Sequence, residues 1–242
     1  NILLKGSHFY MNINEYQNYH ETKAHTSAEF PYNTYLCSIP LDFPGVPLHW
    51  HDELELVVIK RGQGFVSVDF DKRLVHSGDL IIIPPRCLHA IEQDDTFKME
   101  YENIIFKPDL LSSGANDLCM IQYIVPLLDG SLPIEYFLTP ALGSFEALSN
   151  CIRQIDLVCA DQTPGWQLAV KSSLFNFFFL LISERQKKTV STSSNSKSLE
   201  KMKTVLKYVE NHYTEKLTID DMAELTYYSK SHFMKFFKAH MG

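Results

Sequence analysis

From Thr34 to about Phe106, apolar and polar positions alternate in short β-rich runs separated by turn residues, the pattern of an antiparallel barrel or sandwich. The runs are Thr34–Ile39, Glu53–Lys60, Phe65–Phe70, Leu80–Ile83 and Lys98–Phe106. Gly62-Gln63-Gly64, Asp71-Lys72, Ser77-Gly78-Asp79 and Pro84-Pro85 separate them and supply turn chemistry. Beyond Pro108 the period becomes helical. Leu142, Phe145, Leu148, Ile152, Ile155 and Cys159 recur at steps of three and four, and Trp166 to Arg185 predicts a second, almost wholly buried helix. The two are expected to form a helical hairpin.

Residues 187–198, KKTVSTSSNSKS, carry too little apolar surface to offset the entropy of ordering them, so they read as a linker between a domain at 1–186 and a smaller one at 199–242. In the smaller one, Leu199, Met202, Val205, Leu206 and Val209 share a helical face. Thr218-Ile219-Asp220-Asp221 then reads as an N-cap with a capping box, opening a helix that ends at Thr226. Ser229 caps the next helix, Phe233, Phe236 and Phe237 give it a buried side, and the small Ala223 lets the two helices cross closely. This is helix-turn-helix spacing, and the expected class is α+β.

Composition sharpens this division. The net charge of −7 over 242 residues hides an asymmetry, because from Lys197 onward eight Lys face six Asp/Glu, leaving +2, while residues 1–196 carry −9. The acidic part repels phosphate and the basic tail can meet it, which hints at a nucleic-acid partner. Five cysteines, an odd number without a CxxC pair, fit a reducing cytoplasm. The most apolar run, Leu174 to Ile182, falls short of the about 20 residues that a bilayer crossing needs, so no membrane span is expected. The start at Asn1 has the form of neither a native start nor a signal peptide.

In His49-Trp50-His51-Asp52-Glu53-Leu54-Glu55, residues 49, 51, 53 and 55 share one face of an extended strand. Gly62 follows Glu55 after six residues, and a second segment, Gly78-x5-Pro84-x4-His89, brings another histidine. These segments resemble the two sequence motifs of the cupin superfamily, the second departing from it at Arg86 and Gln93. The resemblance implies a small β-barrel with a central pocket, in which His49, His51, Glu55 and His89 either hold a divalent metal or form a metal-free hydrogen-bonded network that lines a ligand pocket. Arg86 at the barrel mouth could clamp a hydroxyl or carboxylate, and Tyr32, Tyr35 and Trp50 could stack on a sugar ring.

Ile219 to Gly242, with Ala223, Ser229 and the Phe237-Lys238 pair, resembles the first of two helix-turn-helix units of the arabinose-regulator (AraC/XylS) family, with Tyr227 in a turn where that family often has glycine. Barrel, hairpin, linker and reader come in that family's order. The resemblance implies a non-enzymatic, cytoplasmic regulator of transcription, with Ser231, Met234 and Lys235 at base edges and Lys230 and Lys238 at phosphates of double-stranded DNA. It implies an effector, by family habit a carbohydrate, bound by His49, His51, Glu55, Arg86, His89, Tyr35 and Trp50, and a homodimer through helices within 142–185. No cofactor is required by it. A second helix-turn-helix is expected after Gly242, where this chain stops. The alternative is a metal-dependent cupin enzyme, a dioxygenase or isomerase.

Overall fold

The computed structural model describes residues 18–114, 117–188, 204, 205, 208, 209, 212, 217–226 and 228–241. The chain divides into two compact units, one of them Tyr19–Lys187 and the other containing the C-terminal helices. Among the described residues the first unit carries β1 (Tyr32–Ile39), β2 (Gly45–His49), β3 (Leu54–Val68), β4 (Asp71–His76), β5 (Leu80–Ile83), β6 (His89–Gln93), β7 (Met99–Phe106) and β8 (Phe137–Leu138). All pairings between these strands are antiparallel, and β3 is the spine, bonded to β7 and β5 in its first half and to β4 and β6 in its second. β1 adds to β7, β2 to β6 and β8 to β5.

Because side chains alternate across a strand, β3 serves two cores at once. Val57, Ile59, Val66 and Val68 pack inward with Ile39, Ile81, Ile83, Ile91, Met99 and Tyr101, filling the interior of a cupin-like barrel. Leu54 and Leu56 face outward, joining Leu80, Ile82, Ile104 and Phe106 beneath two helices, α1 (Phe145–Asp161) and α2 (Trp166–Lys188). α1 contributes Leu148, Ile152 and Ile155, and α2 contributes Val170, Leu174, Phe177, Phe178 and Leu181. The expected α+β class with a helical hairpin on the barrel therefore holds.

Four expectations about elements are corrected. Glu53–Lys60 and Phe65–Phe70 are not separate strands, since β3 runs through Gly62-Gln63-Gly64 with only a register irregularity between Ile59 and Arg61. Gly62 has φ +79°, and a Cβ there would stand 1.8 Å from the Lys98 carbonyl oxygen, so this glycine lets two backbones touch instead of turning the chain. The turn comes later, at Asp69 and Phe70 with φ 48° and 68°, and Asp71-Lys72 opens β4. α2 is not almost wholly buried, because Leu168, Phe175 and Phe179 are 74%, 37% and 65% exposed. The same helix is long and apolar enough over Trp166–Glu184 to cross a membrane by length and composition, although its other face is packed against the sheet.

The second unit contains α3 (Ile219–Leu225) and α4 (Lys230–Met241). Thr218 and Asp221 form the capping box in full, the Asp221 amide donating to Thr218 Oγ1 at 3.3 Å and the Thr218 amide to Asp221 Oδ2 at 2.8 Å. Thr226 lies at the C-terminal cap of α3, where its buried hydroxyl donates to the Met222 and Ala223 carbonyls. Ser229 Oγ accepts from the His232 amide at the start of α4. Val205, Met222, Ala223 and Phe233 form the core, with Phe237 packed beside it. The expectations for Leu199, Met202, Leu206 and Tyr227, and for the linker beyond Lys188, lie outside the described residues. Lys187 and Lys188, assigned to the linker from sequence, belong to α2.

Candidate functional site

Local backbone geometry brings the four motif residues to one place. His49 ends β2 and pairs directly with His89 at the start of β6, their rings 4.0 Å apart. His51 follows β2, and Glu55 enters on β3, from where its Oε2 lies 3.0 Å from His51 Nε2 and 3.3 Å from His89 Nε2. His51, Glu55 and His89 are buried.

The histidine tautomers follow from their other contacts. Nδ1 of His49 lies 2.9 Å from the Pro47 carbonyl, Nδ1 of His51 3.2 Å from that of Glu53, and Nδ1 of His89 2.9 Å from that of Cys87. A carbonyl oxygen only accepts, so each Nδ1 carries a hydrogen, and each ring in its neutral form presents an Nε2 lone pair to the cluster. Three such lone pairs within 4.8 Å of one another, plus the Glu55 carboxylate, make a site rich in acceptors and poor in donors. The set fits a divalent metal of the kind held by nitrogen and carboxylate ligands.

The electrostatics express the same imbalance. Burial, and then the neighbouring His89, hold His49 well below the ordinary imidazole value, at about 4. Burial works in the same direction on His51, but the hydrogen bond and charge of Glu55, with help from Glu53, overcome it and push His51 up. Burial likewise opposes ionisation of Glu55, and the hydrogen bonds and charges of His51 and His89 prevail, holding it below the usual carboxylate range.

The other expected ligand residues are distributed differently. Arg86, in the left-handed region at φ 64°, donates from Nε to exposed Asp52 at 2.8 Å. Trp50 is buried, its ring stacked on His20 at 4.1 Å. Tyr35 meets the cluster's edge, lying edge-on to His25 and accepting from Asn33 Nδ2 at 3.0 Å. Tyr32 contacts Cys159 Sγ, away from the histidines.

Two residues that the motifs do not include also reach the site. Glu21 Oε2 lies 3.4 Å from His49 Nε2 and 3.0 Å from His25 Nε2, and the His25 ring is 5.6 Å from that of His51. Their only signal in the sequence is a pair of histidines flanking a glutamate ahead of the first strand.

Residues 33–178 match the family of AraC-like ligand binding domains. The chain belongs to that family. Two HTH-type transcriptional regulators of Bacillus subtilis (strain 168), YbfI and YdeC, are each 25% identical to it, over 81% and 92% of this chain. The chain spans 66% and 75% of their respective lengths. A cupin protein from Bacteroides fragilis is 24% identical over 36% of this chain and 80% of its own, with a TM-score of 0.31. Outside the AraC-like ligand binding domain, α4 exposes Lys230, Ser231, Met234 and Lys235. Lys230 Nζ lies 2.8 Å from Asp220 Oδ2, and the Lys238 side chain is outside the described residues.

Proposed function

We propose that this chain senses a small molecule in its barrel and regulates transcription from double-stranded DNA. The observation that carries the reading is the order along one chain of an AraC-like ligand binding domain and a capped helix pair of helix-turn-helix form. The two Bacillus relatives, named as HTH-type transcriptional regulators, support it. In this reading α4 enters the major groove, where Ser231 and Lys235 hydrogen-bond base edges and Met234 packs on a thymine methyl, while Lys230 and Lys238 meet phosphate. The protein acts in the cytoplasm, and it is not an enzyme.

The effector is a hydroxyl-rich metabolite of carbohydrate type, held near His49, His51, Glu55 and His89, with Tyr35 at the edge. Buried Asn103 Oδ1 and Thr26 Oγ1 have no hydrogen-bond partner among the described residues, which suits a ligand that brings hydroxyl groups. Where a divalent metal is bound, His49, His51, Glu55 and His89 hold it, and it supplies a positive centre for a ligand oxygen. That donor set also supports the second reading, a cupin enzyme of dioxygenase or isomerase type. The exposed stripe Leu168, Phe175 and Phe179 on α2 supports homodimerisation, which places two readers on one operator.

The test is binding of the protein to fragments of its own genome with and without candidate sugars and sugar acids. Salt-sensitive, sequence-selective binding that shifts with one metabolite is the expected result. Turnover of that metabolite without any DNA preference would replace this reading with the enzyme.

A further inference from the structure

We infer that Glu21 is a further ligand to the cation site, one that ties the segment ahead of the barrel to the occupancy of the histidine cluster. The inference rests on the reading that the cluster takes a divalent metal, and goes beyond it by adding a carboxylate that neither motif contains.

The backbone fixes where Glu21 can reach. Its amide donates to the Trp50 carbonyl at 2.9 Å, the Trp50 amide donates to the Tyr19 carbonyl at 3.0 Å, and His20 pairs with Trp50 as a parallel bridge. These bonds lay Tyr19–Glu21 alongside the residue between His49 and His51, and the stacked His20 and Trp50 rings hold the pair from the side. The Glu21 side chain is then directed at the cluster. Its carboxylate is half-buried and reaches the two imidazoles, His49 and His25, that Glu55 does not bond.

The distances carry the argument further. Nitrogen and oxygen ligands about 2.0–2.2 Å from one ion stand roughly 3.0 Å apart when they subtend a right angle and roughly 3.4 Å apart at the tetrahedral angle. The observed separations are 3.0 Å for His51–Glu55, 3.3 Å for His89–Glu55 and 3.4 Å for His49–Glu21. Each has the length of an edge of a coordination shell, and Glu21 supplies the one that involves His49. His25 Nε2, 3.0 Å from the same Glu21 oxygen, serves as a positioning residue, donating to the carboxylate as partners of metal ligands commonly do. A second carboxylate also balances charge, since Glu55 alone leaves a divalent ion with one uncompensated positive charge.

The experiment is a calorimetric titration of the whole chain, purified without a histidine tag, with manganese(II) and zinc(II). Glu21→Gln is expected to weaken binding on the order of 10-fold to 100-fold, and Glu21→Asp by less. A second readout separates ligation from general stability. Trypsin cleavage after exposed Lys23, followed by mass spectrometry, should slow on adding metal to the wild type and stay unchanged on adding it to Glu21→Gln. Wild-type affinity in Glu21→Gln, or equal protection of Lys23 in both proteins, overturns the inference. A wild type that binds neither metal overturns it as well and leaves the DNA-binding reading standing, because that is judged by promoter binding.

Discussion

Replacing Phe179 by Ser should weaken the homodimer without unfolding the barrel. Phe179 is 65% exposed on α2, one turn beyond Phe175 and three beyond Leu168. With roughly 200 Å² for a whole Phe side chain, this leaves about 130 Å² uncovered per protomer, worth about 3 kcal/mol at 25 cal/mol per Å². A twofold interface buries the residue twice, for about 6 kcal/mol at full coverage, and an interface that covers half of it loses about 3 kcal/mol on substitution. That is a rise in dissociation constant of roughly 150-fold. Sedimentation velocity over a concentration series measures it, with Leu36→Ser as the control, since Leu36 is 74% exposed on β1 and belongs to neither helix of the hairpin. Dimerisation of Phe179→Ser like the wild type, equal weakening by Leu36→Ser, or a wild type that is a monomer throughout would refute a dimer built on this stripe.

Three other outcomes are expected. Thr218→Ala removes the hydroxyl that caps α3 and should destabilise the C-terminal helices by about 1 kcal/mol in urea melts. Hydrogen bonds from Thr218 lower the Asp221 pKa, so this cap is fully formed above the ordinary 3.8 and is lost as pH falls through the lower folded value, visible as a fall in helical circular dichroism. Gly62→Ala places a methyl group 1.8 Å from the Lys98 carbonyl at φ +79°, and should lower barrel stability by about 2 kcal/mol or more in thermal melts. Lys60→Met strips Glu102 and Asp156 of their shared cation, at a cost of about 1–2 kcal/mol near neutral pH once partial exposure is allowed for. Asp156 is already raised by burial, so its carboxyl favours folding below 3.8 and loses that contribution as pH rises through the folded value. The Lys60→Met penalty should accordingly shrink on acidification, and a constant penalty in melts across pH would contradict the assignment.

The parts of the molecule legible in its sequence are those where local chemistry and tertiary structure agree. The capping box at Thr218 and Asp221, the cap at Ser229 and the period of α1 are set by neighbours within a turn or two, and all are present. The histidine cluster is legible because the spacing of the two motifs collects His49, His51, Glu55 and His89, although 49–55 is not the single strand that alternation predicts, since β2 ends at His49 and β3 begins at Leu54. Gly62 misled because glycine marks both turns and close backbone contacts, and only the Lys98 carbonyl on β7 decides between them. β2, β6 and β8 are short, and pairing with distant strands makes them. α2 read as buried because apolar residues surround it, and its exposed stripe emerges only once the sheet has chosen the opposite face. Glu21 carried only the weak signal of its flanking histidines because its placement depends on a bridge to Trp50, a contact across about thirty residues that no periodicity announces.

The central claim is that α4 reads DNA in a chain whose barrel senses a metabolite. The most direct test selects binding sites for the protein from random duplexes and repeats the selection with Lys235→Ala. The account expects the wild type to enrich one sequence with an affinity that falls steeply with salt, and expects Lys235→Ala to relax preference at a single position, losing about 1–3 kcal/mol there. Enrichment of no sequence, or of the same sequence with unchanged affinity by both proteins, would contradict it.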